Sequence, residues 1–576
     1  MAASFGVCRL HMSGRRSLSK CLQTYDLLVR RQFGKNNVAE QAKTLNKTDE
    51  FEPKDGLKSF YAVLEERQEQ AERSVLISCQ AKTNEKKFMK YLSRHGPINT
   101  CFFYESYSTY AVVEFANKES ITSLYEGTAI PTINHEAMVP FKSRLLSLKS
   151  NGPADLSDGQ SLPQYQPQTT TPISELIQRL SKEESIDQQM LSLTAMYQLT
   201  EENICLRFLV CSLLQDIAAA YFPECLIRPF GSTVNGFGKL GCDLDMFLDL
   251  DRISGRNVKP KAGYSLEFQL KRANSERAVT QSILSVIGEC VDQFGPGCVG
   301  VQKILNARCP LVRFAHQPSG FQCDLTANNR VAMKSSELLY LYGGLDPRVR
   351  PLVFSVRCWA RAHSITSSIP GAWVSNFSLT VMVLFFLQRR SPPILPTLEH
   401  LRGLAGPGDR SVIEGNDCTF VSDVGKVQLQ SNTETLATLL QEFFEFYGSF
   451  AFNRMSIDIR KGKEQNKPEP SALHIQNPFE PTLNVSKNVN AAQLGRVVTL
   501  CQEAAWILQQ QEFGAPPGRE ASPGGGRAPW GLAALLLPSN QAARTTGRQK
   551  KRMEPASARI KSLLESLKSP AQKKKS

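Results

Sequence analysis

The most informative segment of the sequence begins with Phe230-Gly231-Ser232, passes through a glycine-bearing loop, and ends with Gly241-Cys242-Asp243-Leu244-Asp245-Met246-Phe247-Leu248. Apolar residues flank the two aspartates, which predicts a buried strand. Because side chains alternate along a strand, Asp243 and Asp245 should project from the same face. Two carboxylates held so close repel each other unless a cation lies between them, and hard oxygen ligands suit Mg²⁺ or Mn²⁺. The pattern therefore predicts a divalent metal site on this strand.

The segment before the strand has the composition of a phosphate-binding loop. Gly231 can adopt backbone angles closed to other residues, so that Ser232 can offer its hydroxyl and its amide to a phosphate. The loop from Thr233 to Cys242 contains further glycines and can bring backbone amides close to a triphosphate. We therefore expect Gly231, Ser232, Gly241 and Cys242 to bind a nucleotide.

A third carboxylate is expected from a hairpin further along the chain. Residues Leu311 to His316 and Phe321 to Thr326 predict two strands joined by a short turn. Asp324 is the natural third metal ligand if this hairpin lies beside the Asp243 strand. A lone D-x-D pair is common and usually marks surface acids. A Gly-Ser pair, a glycine loop, an apolar D-x-D strand and a later aspartate together are far more specific.

This combination resembles the polymerase-β-type nucleotidyltransferase superfamily, and within it the branch of RNA terminal adenylyl- and uridylyltransferases. Three later segments carry the same resemblance, namely a basic-x-Trp-Ala helix at Val353–His363, a Ser-Tyr-like helix at Ser375–Gln388 and a C-terminal poly(A)-polymerase-associated motif at Ile475–Val485. The resemblance spans about residues 175–510. It implies an α+β palm joined to a mainly helical domain, with the nucleotide in the cleft between them. It also implies transfer of a nucleotide to an RNA 3′ end with two metal ions.

The resemblance implies further nucleotide contacts. Arg357 and Arg361 match positions where lysines commonly hold the triphosphate, and their four-residue spacing places them on one helix face. The pair Ser335-Ser336 matches an Asn-Thr pair that contacts the ribose. Phe377 replaces a tyrosine that stacks on the base, and keeps the ring without the hydroxyl. Asp346-Pro347 predicts the start of the Arg357 helix.

Leu483 bears on the choice of base. In the uridylyl branch a histidine commonly precedes the Asn-Val pair of the C-terminal motif, and here Leu483 stands before Asn484-Val485. Leucine cannot pair with the polar edge of uracil, so ATP is the expected substrate. Three alternatives stay open, namely a terminal uridylyltransferase, a nucleotidyltransferase with another acceptor, and a catalytically dead RNA-binding or dimerisation scaffold. Intact Asp243, Asp245 and Asp324 argue against the scaffold.

Residues 74–148 predict a βαββαβ domain similar to an RNA recognition motif. Leu76 and Val112 stand where that motif usually carries base-stacking aromatic rings. A sheet without this platform loses about 1–3 kcal/mol for each base it no longer stacks. The domain is therefore expected to pack or to dimerise more than to bind RNA, and the resemblance also implies a homodimer.

Charge and composition suggest the remaining organisation. The net charge is +14, but residues 1–40 carry +5 and residues 547–576 carry +8, which leaves the body nearly neutral. The leucine-rich, serine-rich and acid-poor start predicts a mitochondrial presequence, with a disordered basic terminus as the alternative. The longest apolar run, Leu379 to Leu387, is too short to cross a bilayer, so no membrane insertion is expected.

The predicted division of the chain has seven parts. They are a presequence at 1–40, an N-terminal extension at 41–73, an RRM-like domain at 74–150, a linker at 151–172, a palm with preceding helices at 173–345, a helical domain at 346–512 and a disordered basic tail at 513–576.

Overall fold

The computed structural model describes residues 58–79, 84–125, 128–129, 142–148, 168–222, 225–250, 275–327, 329–367, 369, 371–512 and 528–537. The predicted presequence, most of the predicted linker and most of the basic tail lie outside these ranges. The architecture is α+β, with two five-stranded sheets and a helical part. The predicted fold class is confirmed.

The N-terminal part contains the predicted βαββαβ order. Its elements are α1 (Phe60–Glu72), β1 (Ser74–Cys79), α2 (Glu85–Leu92), β2 (Ile98–Glu105), β3 (Thr109–Phe115), α3 (Glu119–Tyr125), β4 (Thr128–Ala129) and β5 (Leu145–Leu148). The sheet has the order β2-β3-β1-β5-β4, in which β1 pairs antiparallel with β3 and parallel with β5. Side chains alternate along these apolar strands, so the sheet has two apolar faces that both need cover.

Both faces of this sheet are covered. Helices α2 and α3 pack on one face through Phe88 and Leu124, while the other face joins the core of the central part of the chain. Leu76 and Val112, at the base-stacking positions, are 0% and 2% exposed within that shared core. The face that an RNA recognition motif offers to RNA is therefore a packing surface here, as the missing aromatic rings predicted.

The central part is the palm. It follows two helices, α4 (Ile173–Leu180) and α5 (Ile186–Tyr197), and consists of α6 (Glu201–Ala219), β6 (Leu226–Pro229), β7 (Leu244–Asp249), α7 (Glu276–Phe294), β8 (Cys298–Ile304), β9 (Leu311–His316) and β10 (Phe321–Ala327). The sheet order is β6-β7-β10-β9-β8. The predicted hairpin is β9-β10, and it lies beside the D-x-D strand because β10 pairs parallel with β7.

The helical part follows the palm. Its elements are α8 (Arg330–Leu345), α9 (Val349–Ala362), α10 (Asn376–Gln388), α11 (Leu398–Gly403), the short hairpins β11 (Val412–Ile413) with β12 (Asn416–Asp417) and β13 (Met455–Ser456) with β14 (Gln465–Asn466), α12 (Leu436–Ser449), α13 (Ala491–Glu512) and α14 (Leu532–Leu535). Helices α4 and α5 share its hydrophobic core through Leu176 and Leu193, although they precede the palm in sequence.

One local prediction requires correction, since helix α9 begins at Val349, two residues after the expected start. In the turn before it, the Asp346 carboxylate accepts hydrogen bonds from the backbone and guanidinium of Arg348. Residues 528–537 of the predicted tail lie within the described ranges and include the short helix α14. There the indole of Trp530 donates to the Ser181 carbonyl oxygen at 3.2 Å, and α14 is buried with it because its leucines are apolar. None of the helices within the described ranges is long and apolar enough to cross a membrane.

Candidate active site

The palm sheet brings the three predicted metal ligands together. Asp243 directly precedes β7, Asp245 lies within it, and Asp324 lies on β10. Asp245 and Asp324 are direct neighbours in the parallel register of the two strands, so their side chains share a face. Asp243 is exposed and the other two are half-buried, which places the carboxylates at an accessible surface of the sheet.

The carboxylates affect each other electrostatically. Burial and the charges of Asp324 and Asp243 raise the pKa of Asp245 to about 7. Burial and Asp324 also raise the pKa of Asp243. Carboxylic acids ionise less readily when other carboxylates lie close by, and a bound cation removes that penalty. The arrangement therefore favours a cation over three free negative charges.

Arg313 on β9 is the partner of Asp324 across the hairpin. Its Nε and Nη2 atoms donate to the two oxygens of Asp324 at 2.7 and 2.6 Å. In this arrangement no three His, Cys, Asp or Glu side chains among the described residues converge closely enough to hold a metal ion. The donor set of three carboxylates still fits Mg²⁺ or Mn²⁺. Binding there requires Asp324 to share its oxygens with Arg313 or to turn from it.

The glycine turn lies directly against the carboxylates. Gly231 has a φ of +62°, and a Cβ atom there would come 3.1 Å from Oδ2 of Asp245. Its amide donates to Oγ of Ser336 at 2.8 Å, and Ser336 in turn donates to the Ala332 carbonyl oxygen. Ser336 is 2% exposed, so its hydroxyl fixes this turn. The neighbouring Ser335 is half-buried and donates within its own helix to Val331.

The end of the glycine loop returns to its beginning. Ser232 Oγ donates to Sγ of Cys242 at 3.3 Å, which brings the two expected phosphate-binding positions into contact. Gly241, the residue before the thiol, has a φ of +76°, a conformation that favours glycine. Both Ser232 and Cys242 are half-buried, so the closed loop retains a surface that a ligand can reach.

A cluster of positive charge lies at this loop. Arg357 donates to the Phe237 carbonyl oxygen at 2.7 Å, and burial lowers its pKa to about 10. Burial and the charges of Arg361 and Arg357 lower the pKa of Lys239 to about 8. Positive side chains that lower each other's pKa values are suited to bind a polyanion such as a triphosphate, because its negative charge offsets their repulsion. Lys239 was missed from sequence, although it is the only charged residue between Thr233 and Cys242.

Arg207 on α6 is a second residue that sequence reasoning missed. It is fully buried and donates to the carbonyl oxygens of Asp243 and Cys242 at 2.9 and 2.6 Å, and to Oγ1 of Thr233 at 3.1 Å. Its guanidinium carbon also lies 4.7 Å from the ring centre of Phe321 on β10. One cation therefore joins the helix, both ends of the glycine loop and the strand of Asp324. The available signal was a charged residue within the apolar sequence of α6.

The residues expected to contact the base lie in the helical part. Phe377 is half-buried against the helical core at the start of α10, and Leu483 is half-buried in the C-terminal motif. The hydroxyls of Ser378 and Ser486, which lie close to them in sequence, hydrogen bond at 2.9 Å. This contact brings the two segments together, and it was not predicted.

One ion pair joins the C-terminal motif to the palm. Arg308, in the loop before β9, donates to Glu480 at 2.8 Å. Glu480 in turn accepts, through its backbone oxygen, a hydrogen bond from the amide of Leu483 at 3.1 Å. The palm is thus linked to the backbone that carries the proposed base contact.

Three known sequence families match the chain. Residues 186–344 match the family described as "Poly(A) RNA polymerase, mitochondrial-like, central palm domain". Residues 59–129 match the RL domain, and residues 435–483 match the Cid1 family poly A polymerase. The first and third matches cover the carboxylate site and most of the C-terminal motif.

Whole-chain relatives agree with these matches. The mitochondrial poly(A) RNA polymerase of Mus musculus is 59% identical over 92% of this chain and 89% of its own length. The Homo sapiens protein of that name is 58% identical over 90% of this chain and 88% of its own length. A crystal structure of mtPAP with ATPγS shares 52% identity and superposes with a TM-score of 0.76, over 84% of this chain and all of that one. Other crystals of mtPAP hold GTP, UTP or CTP. This chain belongs to the family of mitochondrial poly(A) RNA polymerases.

Proposed function

We propose that the chain adds AMP from ATP to mitochondrial RNA 3′ ends without a template, at the site formed by Asp243, Asp245 and Asp324. Its class as a polynucleotide adenylyltransferase and its mitochondrial location follow from family membership. The observation that carries the site assignment is the register of Asp245 beside Asp324, next to the Gly231 turn. The carboxylates and the neighbouring Lys239 cluster match the metal ions and the negative charge of a metal-bound triphosphate.

The chain's own residues have distinct tasks in this proposal. Mg²⁺ or Mn²⁺ held by the three aspartates would lower the pKa of the RNA 3′-hydroxyl and stabilise the departing pyrophosphate. Arg313 neutralises part of the carboxylate charge before a cation binds. The glycine loop offers its amides, and its Ser232 hydroxyl, to the phosphates.

The positive cluster is a second group of residues that bind the phosphates. Lys239, Arg357 and Arg361 hold the triphosphate, and bound phosphate raises the pKa of Lys239 from the value that burial and the arginines impose. Ser336 acts through the Gly231 turn, because its hydroxyl already bonds that amide. Ser335 is the hydroxyl of this pair that we assign to the ribose.

Base choice rests on Phe377 and Leu483. Phe377 stacks on the purine, and Leu483 leaves an apolar space that gives uracil no hydrogen-bond partner. A missing partner for a buried polar edge costs about 1–3 kcal/mol. Crystals of mtPAP with all four types of base indicate that occupancy alone does not reveal selectivity. Selection is therefore expected in kcat/KM.

The test is a panel of nucleotides on one labelled RNA primer. The purified chain should extend the primer with ATP, and UTP should compete poorly at equal concentration in the presence of Mg²⁺ or Mn²⁺. A higher kcat/KM for UTP than for ATP would contradict the assignment. Extension that persists in excess chelator would contradict the metal site.

Two finer properties are proposed with the activity. Residues 1–40 act as the presequence, and their deletion should leave a tagged protein outside mitochondria. The chain forms a homodimer to which the N-terminal part contributes, so light scattering should report twice the chain mass at micromolar concentration. Both proposals rest on sequence character and on the family resemblance.

A further inference from the structure

The N-terminal part has one layer that faces away from the palm. Its sheet packs against the palm on the face of Leu76 and Val112, and α2 and α3 cover the opposite face. This order of layers is fixed by side-chain contacts, among them a hydrogen bond from the Tyr104 hydroxyl to the Pro318 carbonyl oxygen at 2.8 Å. The outward surface of the N-terminal part is therefore a helical surface.

Helix α2 and the turn after it carry a concentrated positive charge. Lys86, Lys87 and Lys90 lie on α2, Arg94 lies in the turn, and all four are exposed. Glu85 is the only acidic residue between 85 and 94, so this short segment carries +3 on a body that is nearly neutral. Lys86, Lys90 and Arg94 form no ion pair with another described residue.

The spacing aligns these charges. Lys86 and Lys90 are four residues apart on α2, which places them on one side of the helix, and Arg94 follows four residues later in the turn, so that the three form a row of charges. Like charges in the helical spacing of Lys86 and Lys90 destabilise a helix slightly, by a few tenths of a kcal/mol. A polyanion along the row removes this repulsion and releases its own counterions.

We propose that the row Lys86, Lys90 and Arg94 binds the phosphate backbone of RNA upstream of the 3′ end. The proposal rests on the proposed function, because it takes RNA to be the acceptor. It places the nucleic-acid contacts of this domain on its helices instead of on its sheet. Contacts to phosphates carry no base preference, so the surface accepts any sequence that the active site extends.

The distance between the two sites gives the proposal its signature. The N-terminal sheet and its helix layer lie between the palm and the row, and packed layers are about 10 Å apart. An RNA of a few nucleotides seated at the aspartates covers only part of the path to the row, whereas a long RNA covers all of it. Loss of the row should therefore weaken the binding of long RNA and leave the binding of short RNA unaffected.

The experiment uses the full chain with three charge reversals, Lys86→Glu, Lys90→Glu and Arg94→Glu. A matched control carries Arg410→Glu, Lys461→Glu and Lys463→Glu, three exposed residues of the helical part. Both variants change the net charge equally. Binding is measured with oligoadenylates of about 40 and about 6 nucleotides over a salt series, beside circular dichroism and light scattering.

The α2 variant should bind the long RNA about tenfold to a hundredfold more weakly at low salt, with a salt slope smaller by about 2. Its affinity for the short RNA and its AMP addition at saturating RNA should equal those of the wild type. An unchanged affinity for long RNA, an equal loss in the control variant, or an equal loss on both RNAs would overturn the proposal. A changed oligomeric state with unchanged RNA affinity would assign the row to a second copy and also overturn it. Failure of the wild type itself to add AMP would instead reject the proposed function.

Discussion

The two five-stranded sheets of this chain differ in the exposure of their faces. In β3 of the N-terminal sheet, every residue after Thr109 is buried. In β10 of the palm sheet, Gln322 is exposed and Asp324 half-buried between buried neighbours. Both strands are central and similar in length. One or two polar residues at alternate positions of a strand therefore keep one face of a sheet accessible to a ligand. Apolar residues at the same positions bury that face against another part of the protein.

The buried sheet serves the open one. The Tyr104 hydroxyl and the Ser106 hydroxyl, at the end of β2, donate to the carbonyl oxygens of Pro318 and Gln317 in the turn between β9 and β10. That turn leads into the strand of Asp324. The N-terminal sheet therefore contributes contacts that hold the hairpin of Asp324, and the following predictions test this division of tasks.

The largest effect is expected at the open face. Asp243→Ala, Asp245→Ala and Asp324→Ala should each lower AMP addition by about 10³-fold or more, because a two-metal site loses its geometry with one ligand. The thermal transition should stay or rise, since each change relieves repulsion between carboxylates. Asp249→Ala at the end of β7 is the matched control and should retain activity, as Asp249 lies near Arg228 and Arg330 instead. Activity close to wild type in any of the three variants would remove that residue from the site.

Arg207→Met should destabilise the fold by about 3 kcal/mol, because the buried acceptors Thr233 Oγ1, Asp243 O and Cys242 O lose their donor. Denaturant unfolding measures this free energy, and AMP addition in the folded fraction should fall as well. Arg277→Met is the control, since its guanidinium also bonds backbone carbonyls but is exposed. Equal losses of stability in the two variants would show that burial of Arg207 is not the cause.

Val112→Phe tests the buried face directly. The change restores an aromatic ring at a base-stacking position, yet Val112 is 2% exposed against the palm. Overpacking should therefore cost about 1–3 kcal/mol in unfolding free energy. RNA affinity, measured by titration, should not increase. A gain in affinity with unchanged stability would mean that the sheet separates from the palm and binds RNA.

His316 makes the stability of the fold depend on pH. It is buried in β9 next to Ser319, and burial lowers its pKa to about 4. The unfolded chain then binds the proton more strongly than the folded chain does. The contribution of His316 to the unfolding free energy is therefore present above about pH 6.5 and is lost as pH falls towards 4. Between pH 7 and pH 5 this contribution should fall by about 2 kcal/mol.

The comparison of wild type with His316→Leu isolates this histidine. Asp245 has a raised pKa, and its stability contribution has the opposite sign over the same pH range. It is common to both proteins, so it cancels in the difference of their unfolding free energies. Parallel pH profiles for the two proteins would show that His316 is not the titrating group.

The smallest effect is expected at Leu483. Leu483→His should lower the ratio of kcat/KM for ATP to that for UTP by about tenfold, since a ring nitrogen can pair with the edge of uracil. Competition between the two nucleotides on one primer measures the ratio. Leu483→Met is the control, as it keeps the site apolar. An unchanged ratio in Leu483→His would place base selection elsewhere.

Local sequence was enough to predict the local features of the site. The alternation around Asp243 and Asp245 and the glycine before Ser232 depend on residues a few positions apart, and the structure contains both. The βαββαβ order and the apolar stacking positions of the N-terminal sheet were also predicted, since the period of polarity reports which face is buried.

Which groups meet depends on contacts between residues that are distant in sequence. Arg207 meets the glycine loop across more than twenty residues, and Ser336 meets Gly231 across 105. Trp530 meets Ser181 across 349 residues, and the helix after Trp530 packs into the helical core. Periodicity tells which side of an element is buried but not which element covers it. That choice depends on the complementary shapes and hydrogen-bonding groups of surfaces that are distant in sequence.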